Sequence, residues 1–90
     1  MRERDIQKKI VKFLVSKGAY VVKQHGSMYT RAGIPDLLIC HKGRFLAIEV
    51  KRAEGILTDL QKYHLEQIKK ASGQAIVARS VEDAERIIND

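Results

Sequence analysis

Two apolar runs, residues 36–41 and 44–51, meet at the dipeptide Lys42-Gly43, and this junction constrains the chain more than any other feature. Short apolar runs joined by two turn residues ending in glycine signal a β-hairpin. With a two-residue turn His41 pairs with Arg44, and the register carried to the far end sets Asp36 opposite Glu49. Side chains alternate along a strand, so Asp36, Leu38 and Cys40 share one face with Glu49, Ala47 and Phe45. Leu37, Ile39, Leu46, Ile48 and Val50 occupy the other. Both faces are apolar enough to need cover, which places this hairpin inside a layered fold. A glycine at the second turn position also suits a bulged turn, which would shift the register by one residue, and the sequence leaves that alternative open.

The flanking segments supply the cover. Ile6, Ile10, Val11, Phe13 and Leu14 recur at helical spacing over 2–17, and Gly18 ends the pattern. A β-branched run at 19–23 precedes a polar, glycine-containing loop at 24–34. Thr58 followed by Gln61 resembles a capping box opening a helix with Leu60, His64, Leu65 and Ile68 on its inner side, closed by Gly73. Residues 74–79 form a fourth strand, and Ser80 caps a last, acidic helix through Ile87 and Ile88. The order αβββαβα implies an α/β fold with a mixed sheet flanked by helices.

Ninety residues suffice for one hydrophobic core, so residues 1–90 are expected to form one domain. Apolar runs such as 37–40 fall far short of the roughly 20 residues of a membrane-spanning helix. The charged N-terminus lacks a signal-peptide stretch, so a cytoplasmic protein is expected, with no membrane partner. The single cysteine, Cys40, reads as a small buried hydrophobe in a reducing compartment and excludes an intramolecular disulfide. A net charge of +6 suits a polyanionic partner.

Carboxylates opposed on a sheet repel by roughly 0.2 to 1 kcal/mol, and by more where solvent is excluded. A cation is therefore expected beside Asp36 and Glu49. Lys51, two residues beyond Glu49, points to the same side and leaves room for a divalent ion. Carboxylate and water oxygens are hard ligands, appropriate to Mg²⁺ or Mn²⁺ rather than zinc. His25, His41 and His64 lack close ligand spacing. His41, beside the turn, reads as a solvated edge residue and His64 as a helix residue near the core boundary.

Gly33-Ile34-Pro35-Asp36 followed by Ile48-Glu49-Val50-Lys51 resembles the GxPD and ExK motifs of the PD-(D/E)XK nuclease superfamily, with its restriction endonuclease-like core. Glu3 with Ile6-Gln7, and Thr58 with Gln61, extend the likeness over almost the whole chain to the virus-type replication-repair nuclease family, VRR-NUC. The resemblance implies that Asp36 and Glu49 are metal ligands, that Val50 adds its carbonyl, and that Lys51 is the catalytic lysine. It also implies in-line hydrolysis leaving a 5′-phosphate and a 3′-hydroxyl. Glu3, on the apolar stripe of the first helix, would reach the metal through water; otherwise it is an acid favoured by the helix macrodipole. Gln61 would orient a water or phosphate; otherwise it serves only the capping box. Lys23, His25, Tyr29 and Arg31 lie near the acids and would contact DNA. Gly33 would let backbone approach the substrate. Lys8, Lys9, Lys12, Lys62, Lys69 and Lys70 read as solvating helix-surface lysines.

Standalone members of that family resemble Holliday junction resolvases, which implies a structure-specific endonuclease acting on branched DNA in a phage, viral or prokaryotic nucleic-acid compartment. One small domain with one site must dimerise to cut two strands symmetrically. Met28, Tyr29, Ile56 and Leu57 would then form the two-fold interface or a wedge, unless they are buried loop anchors. A nicking or flap endonuclease is the alternative enzyme. A non-catalytic nucleic-acid-binding module gains nothing from acids facing a polyanion.

Overall fold

The computed structural model describes residues 1–25 and 32–89. The elements run α1 (Glu3–Ser16), β1 (Tyr20–Lys23), β2 (Leu37–His41), β3 (Arg44–Val50), α2 (Asp59–Lys70), β4 (Gln74–Ala78) and α3 (Val81–Asn89). Ile6, Ile10 and Leu14, one helical turn apart, are the buried residues of α1, and Glu3 and Asp5 sit in its first turn where the macrodipole favours acids. The four strands lie in the order β1-β2-β3-β4. The first two pairings are antiparallel and β3 with β4 is parallel. A parallel neighbour needs a crossover, which α2 supplies.

The hairpin has the unbulged register. His41 pairs with Arg44 and the ladder continues to Leu37 with Ile48. Lys42 and Gly43 have φ of 52° and 77°, the paired positive values of a two-residue turn whose twist matches the strands.

The two sheet faces are covered unequally. On one, Leu37, Ile39, Leu46, Ile48 and Val50 pack against Ile6, Ile10 and Leu14 of α1 and Ala84, Ile87 and Ile88 of α3. On the other, Ala47, Ala75 and Leu65 form a smaller cluster with Leu38, Leu57, Ile68 and Val77 beneath α2. A helix is roughly 10 Å wide and strands are about 4.8 Å apart, so α2 alone roofs about two strands of four. Tyr20 and Phe45 therefore stay 71% and 48% exposed.

This asymmetry corrects three expectations. Cys40 is exposed rather than buried, because it lies on the face that one helix covers incompletely. His41 is buried rather than solvated. It lies on the two-helix face, where neighbouring Arg44 reaches over to donate to the Ile88 carbonyl at 2.8 Å and to Gln74 Oε1 at 3.0 Å. Leu60 is 45% exposed rather than turned inward. It sits in the first turn of α2, over Gly33. Among the described residues no helix is long and apolar enough to cross a membrane.

Candidate active site

Asp36 lies one residue before β2 and is tied on both sides. Its carbonyl accepts from Gln24 N at 2.8 Å, and its Oδ2 accepts from Val50 N at 2.8 Å. The carboxylate thus takes over a strand acceptor's work where the β2–β3 ladder ends, which holds it against the end of β3. The aligned register brings Glu49 to the same end, and Glu49 is only 3% exposed.

Glu49 is poorly satisfied for a buried acid. Its Oε2 accepts from Gln61 Nε2 at 3.1 Å and lies 3.9 Å from Lys51 Nζ, an ion pair too long for a hydrogen bond. Its Oε1 is buried with no hydrogen-bond partner among the described residues. Burial first, and then the charge of Asp36, push the Glu49 carboxyl up to about 8, with Lys51 offsetting only part. The ammonium is therefore not sufficient to keep this carboxylate ionised at neutral pH.

Gln61 joins the two roles that the sequence leaves open. Its Oε1 accepts from Thr58 N at 2.9 Å and its N–H donates to Thr58 Oγ1 at 3.1 Å, completing a capping box at the start of α2. With Oε1 committed to the cap, the amide nitrogen is the end that turns to Glu49. One side chain both starts the helix and donates to the buried acid.

Glu3 is exposed and lies across a recess of about 200 Å³ lined by Glu3, Arg4, Gln7, Asp36 and Val50. Gln7 was not among the expected site residues, although it follows Glu3 by four positions and so shares its helix face. A larger cleft of about 510 Å³ follows the outer edge of β4. Its one acid, Asp83, is engaged by Arg79 N and by Arg86, so that cleft offers no comparable carboxylate pair.

The expected DNA contacts divide. Lys23 ends β1 opposite Leu37, and Lys23 and His25 are both exposed near Asp36 in the chain path. Tyr29 and Arg31, like Met28, lie outside the described residues. Gly33 has φ of +84°, and a Cβ there would come within 2.8 Å of Leu60 Cγ and 2.9 Å of its carbonyl oxygen. The close approach this glycine permits among the described residues is to α2. Ile56 is 82% exposed, whereas Leu57 packs at the second cluster.

Among the described residues no three His, Cys, Asp or Glu side chains converge as a ready metal cage. The oxygens available are those of Asp36 and Glu49, with Glu3 lining the same recess as Asp36.

This architecture has close counterparts among solved structures. One described as a VRR_NUC domain is 26% identical, with 97% of this chain and 94% of that chain covered and a TM-score of 0.80. A second, described as a VRR_NUC domain protein, is 23% identical, with 99% and 86% covered and a TM-score of 0.81. Hjc of Archaeoglobus fulgidus, described as a Holliday junction resolvase from an archaeal hyperthermophile, shares the fold at 20% identity. Its TM-score is 0.65, with 83% of this chain and 65% of Hjc covered. No curated protein gives a significant match. The family model of the VRR-NUC domain matches residues 2–82, nearly the whole chain, so the protein belongs to the VRR-NUC family of nucleases, a membership that implies phosphodiester hydrolysis.

Proposed function

We propose that the protein is a divalent-metal-dependent, structure-specific DNA endonuclease, that Asp36, Glu49 and Lys51 form the centre of its active site, and that its substrate is a four-way junction cut by a homodimer. The observation that carries the site is the buried Oε1 of Glu49, beside Asp36 and without a hydrogen-bond partner among the described residues. Leaving one buried carboxyl oxygen unsatisfied costs roughly 1 to 3 kcal/mol, and a cation at this point relieves both that cost and the repulsion. The donor set is all oxygen, which fits Mg²⁺ or Mn²⁺.

In this reading Asp36 and Glu49 hold the ion, the Val50 carbonyl adds an oxygen, and Glu3 acts from across the recess. When bound, the ion supplies charge neutralisation at the scissile phosphate and a lowered pKa for an attacking water. The Lys51 ammonium, 12% exposed, donates to that water or to a phosphate oxygen as negative charge develops. Gln61 donates to Glu49 Oε2 and keeps that carboxylate oriented. Lys23 and His25, with Tyr29 and Arg31, contact the DNA backbone around the site. A net charge of +6 favours association with the polyanion.

The four-way junction and the dimer rest on the fold shared with Hjc and on symmetry, because paired cuts in two strands need two sites. The test is incubation of the protein with labelled linear, flap and four-way DNA, with Mg²⁺, with Mn²⁺ and with EDTA. The expected result is metal-dependent, paired cleavage of the four-way substrate. Preferential cutting of one strand in nicked or flapped duplex overturns the junction assignment, and cleavage unaffected by EDTA overturns the metal site.

A further inference from the structure

β3 ends at Val50, and the chain must turn before α2 begins at Asp59. The last bond tying this stretch to the sheet runs from Lys51 N to the Ala78 carbonyl at 3.0 Å. Beyond it, residues 52–55 form a tight turn closed by Gly55 N on the Arg52 carbonyl at 3.0 Å. The ladder to β4 ends with Val50 opposite Ala78, so carbonyls of the turn have no strand to bond. One side chain collects three of them. Arg79 Nη1 donates to the carbonyls of Arg52 at 2.7 Å, Gly55 at 2.8 Å and Ala53 at 3.2 Å. Donors on a cation make the stronger class of hydrogen bond. The main chain of Arg79 is held in turn by Asp83, whose Oδ2 accepts from Arg79 N at 2.8 Å.

The inner side of this turn lies against Lys51. A Cβ on Gly55 would come within 3.2 Å of Lys51 Cδ and 3.3 Å of Lys51 Cβ, so the turn backbone packs on the lysine stem. A lysine side chain is long and flexible. Its contact with Glu49, at 3.9 Å, is too long to hold it. The packed turn is what narrows its freedom, and Arg79 is what holds the turn.

We propose that Arg79 is a positioning residue that clamps the 52–55 turn against Lys51 and so presents the Lys51 ammonium beside Glu49. The inference rests on the reading of Lys51 as the ammonium of the active site. Its chemistry is entropic: a pre-ordered donor loses less freedom when the phosphate arrives.

Arg79→Gln and Arg79→Lys test it, beside Lys51→Met. In Arg79→Gln, amide exchange read by NMR is expected to stay slow in the sheet but to accelerate about ten-fold or more at Gly55, and the Lys51 Nζ resonance to broaden. Cleavage of a synthetic four-way junction with Mn²⁺ is expected to lose about ten-fold in kcat, with KM and junction affinity in Ca²⁺ changed less than about two-fold. Arg79→Lys, which keeps the charge and three donors, is expected to recover part of kcat. Unchanged exchange and an unchanged Lys51 signal in Arg79→Gln overturn the clamp. So does a loss confined to KM with a shallower salt dependence, which marks Arg79 as a phosphate contact instead. Normal cleavage by Lys51→Met overturns the active-site reading, and the exchange and resonance data then still decide whether Arg79 holds the turn.

Discussion

At the residue scale, the decisive feature is an acid placed where it is badly solvated. Glu49 in the metal-free fold is pushed up to about 8, whereas the unfolded chain ionises it near 4.3, roughly the free value. Between these values the folded state binds the extra proton. The contribution of Glu49 to stability is therefore full below about 4.3, falls as pH rises toward about 8, and levels off above. Glu49→Gln should remove this dependence. Chemical denaturation of metal-free protein should show the variant ahead of wild type by about 1 kcal/mol or more at pH 8, with the gap closing toward pH 5. A gap independent of pH would place the raised carboxyl elsewhere. Asp36→Asn should gain less, a few tenths to about 1 kcal/mol, because its side chain keeps an acceptor for Val50 N. For function, Lys51→Met and Glu49→Gln should each abolish cleavage while leaving DNA affinity in Ca²⁺ within about two-fold, because the basic surface rather than the acids carries binding.

At the element scale, the start of α2 is where folding and the candidate chemistry share a side chain. Thr58→Ala removes the acceptor for Gln61 N and should cost about 1 kcal/mol, or roughly 4 to 8 °C in melting temperature for a domain of this size. Gln61→Glu separates the two roles. A glutamate still accepts from Thr58 N, but it sets a carboxylate where an amide now donates to Glu49 at 3.1 Å. Its melting temperature without metal should fall at about pH 8 and above, where both carboxyls lose their protons, and recover on acidification, as protonation restores a donor. A variant as stable as wild type at pH 8 would show that this contact does not persist in solution. Gly33 ties the loop before β2 to the same helix. Gly33→Ala meets both an unfavourable positive φ and a clash with Leu60, and should cost about 2 to 4 kcal/mol.

At the scale of the whole molecule, the two faces of the sheet behave differently because two helices cover one and a single helix covers the other. The candidate acids lie at the end of the less covered face, where Glu49 is buried under α2 while the recess beside Asp36 opens to solvent. In the proposed function Mg²⁺ or Mn²⁺ binds the native state alone and raises its melting temperature by mass action. Titration in a thermal melt should show that shift in wild type and a much smaller one in Asp36→Asn. Equal shifts would remove Asp36 from the ligand set. Sedimentation should give a homodimer, with junction strands cut at symmetry-related positions. A monomer that cuts linear duplex equally well would favour a nicking enzyme.

The order of elements was legible in the sequence because its signals are local, and Lys42-Gly43 narrowed the central hairpin to two registers, of which the fold takes the unbulged one. Helical spacing, a capping box and Lys42-Gly43 act within a few residues, and the alternation of side chains then carries Asp36 to Glu49. The motif Gly33-Ile34-Pro35-Asp36 with Ile48-Glu49-Val50-Lys51 pointed to the nuclease family for the same reason, since each piece is contiguous. What the sequence left open was decided by contacts between distant segments. Cys40 is exposed and His41 buried, although they are neighbours in one apolar strand, because helix coverage differs between faces. Gln61 proved to be both cap and partner of Glu49, which needed the distance between α2 and β3. Gly33 makes room for Leu60, 27 residues along the chain, and no local pattern marks that meeting. Arg79 grips a turn 24 to 27 residues before it, a pairing set only by the parallel crossover that brings the end of β4 beside the end of β3. Local spacing determined which elements form and how side chains alternate along the strands, and packing determined which faces meet solvent and which distant groups meet one another.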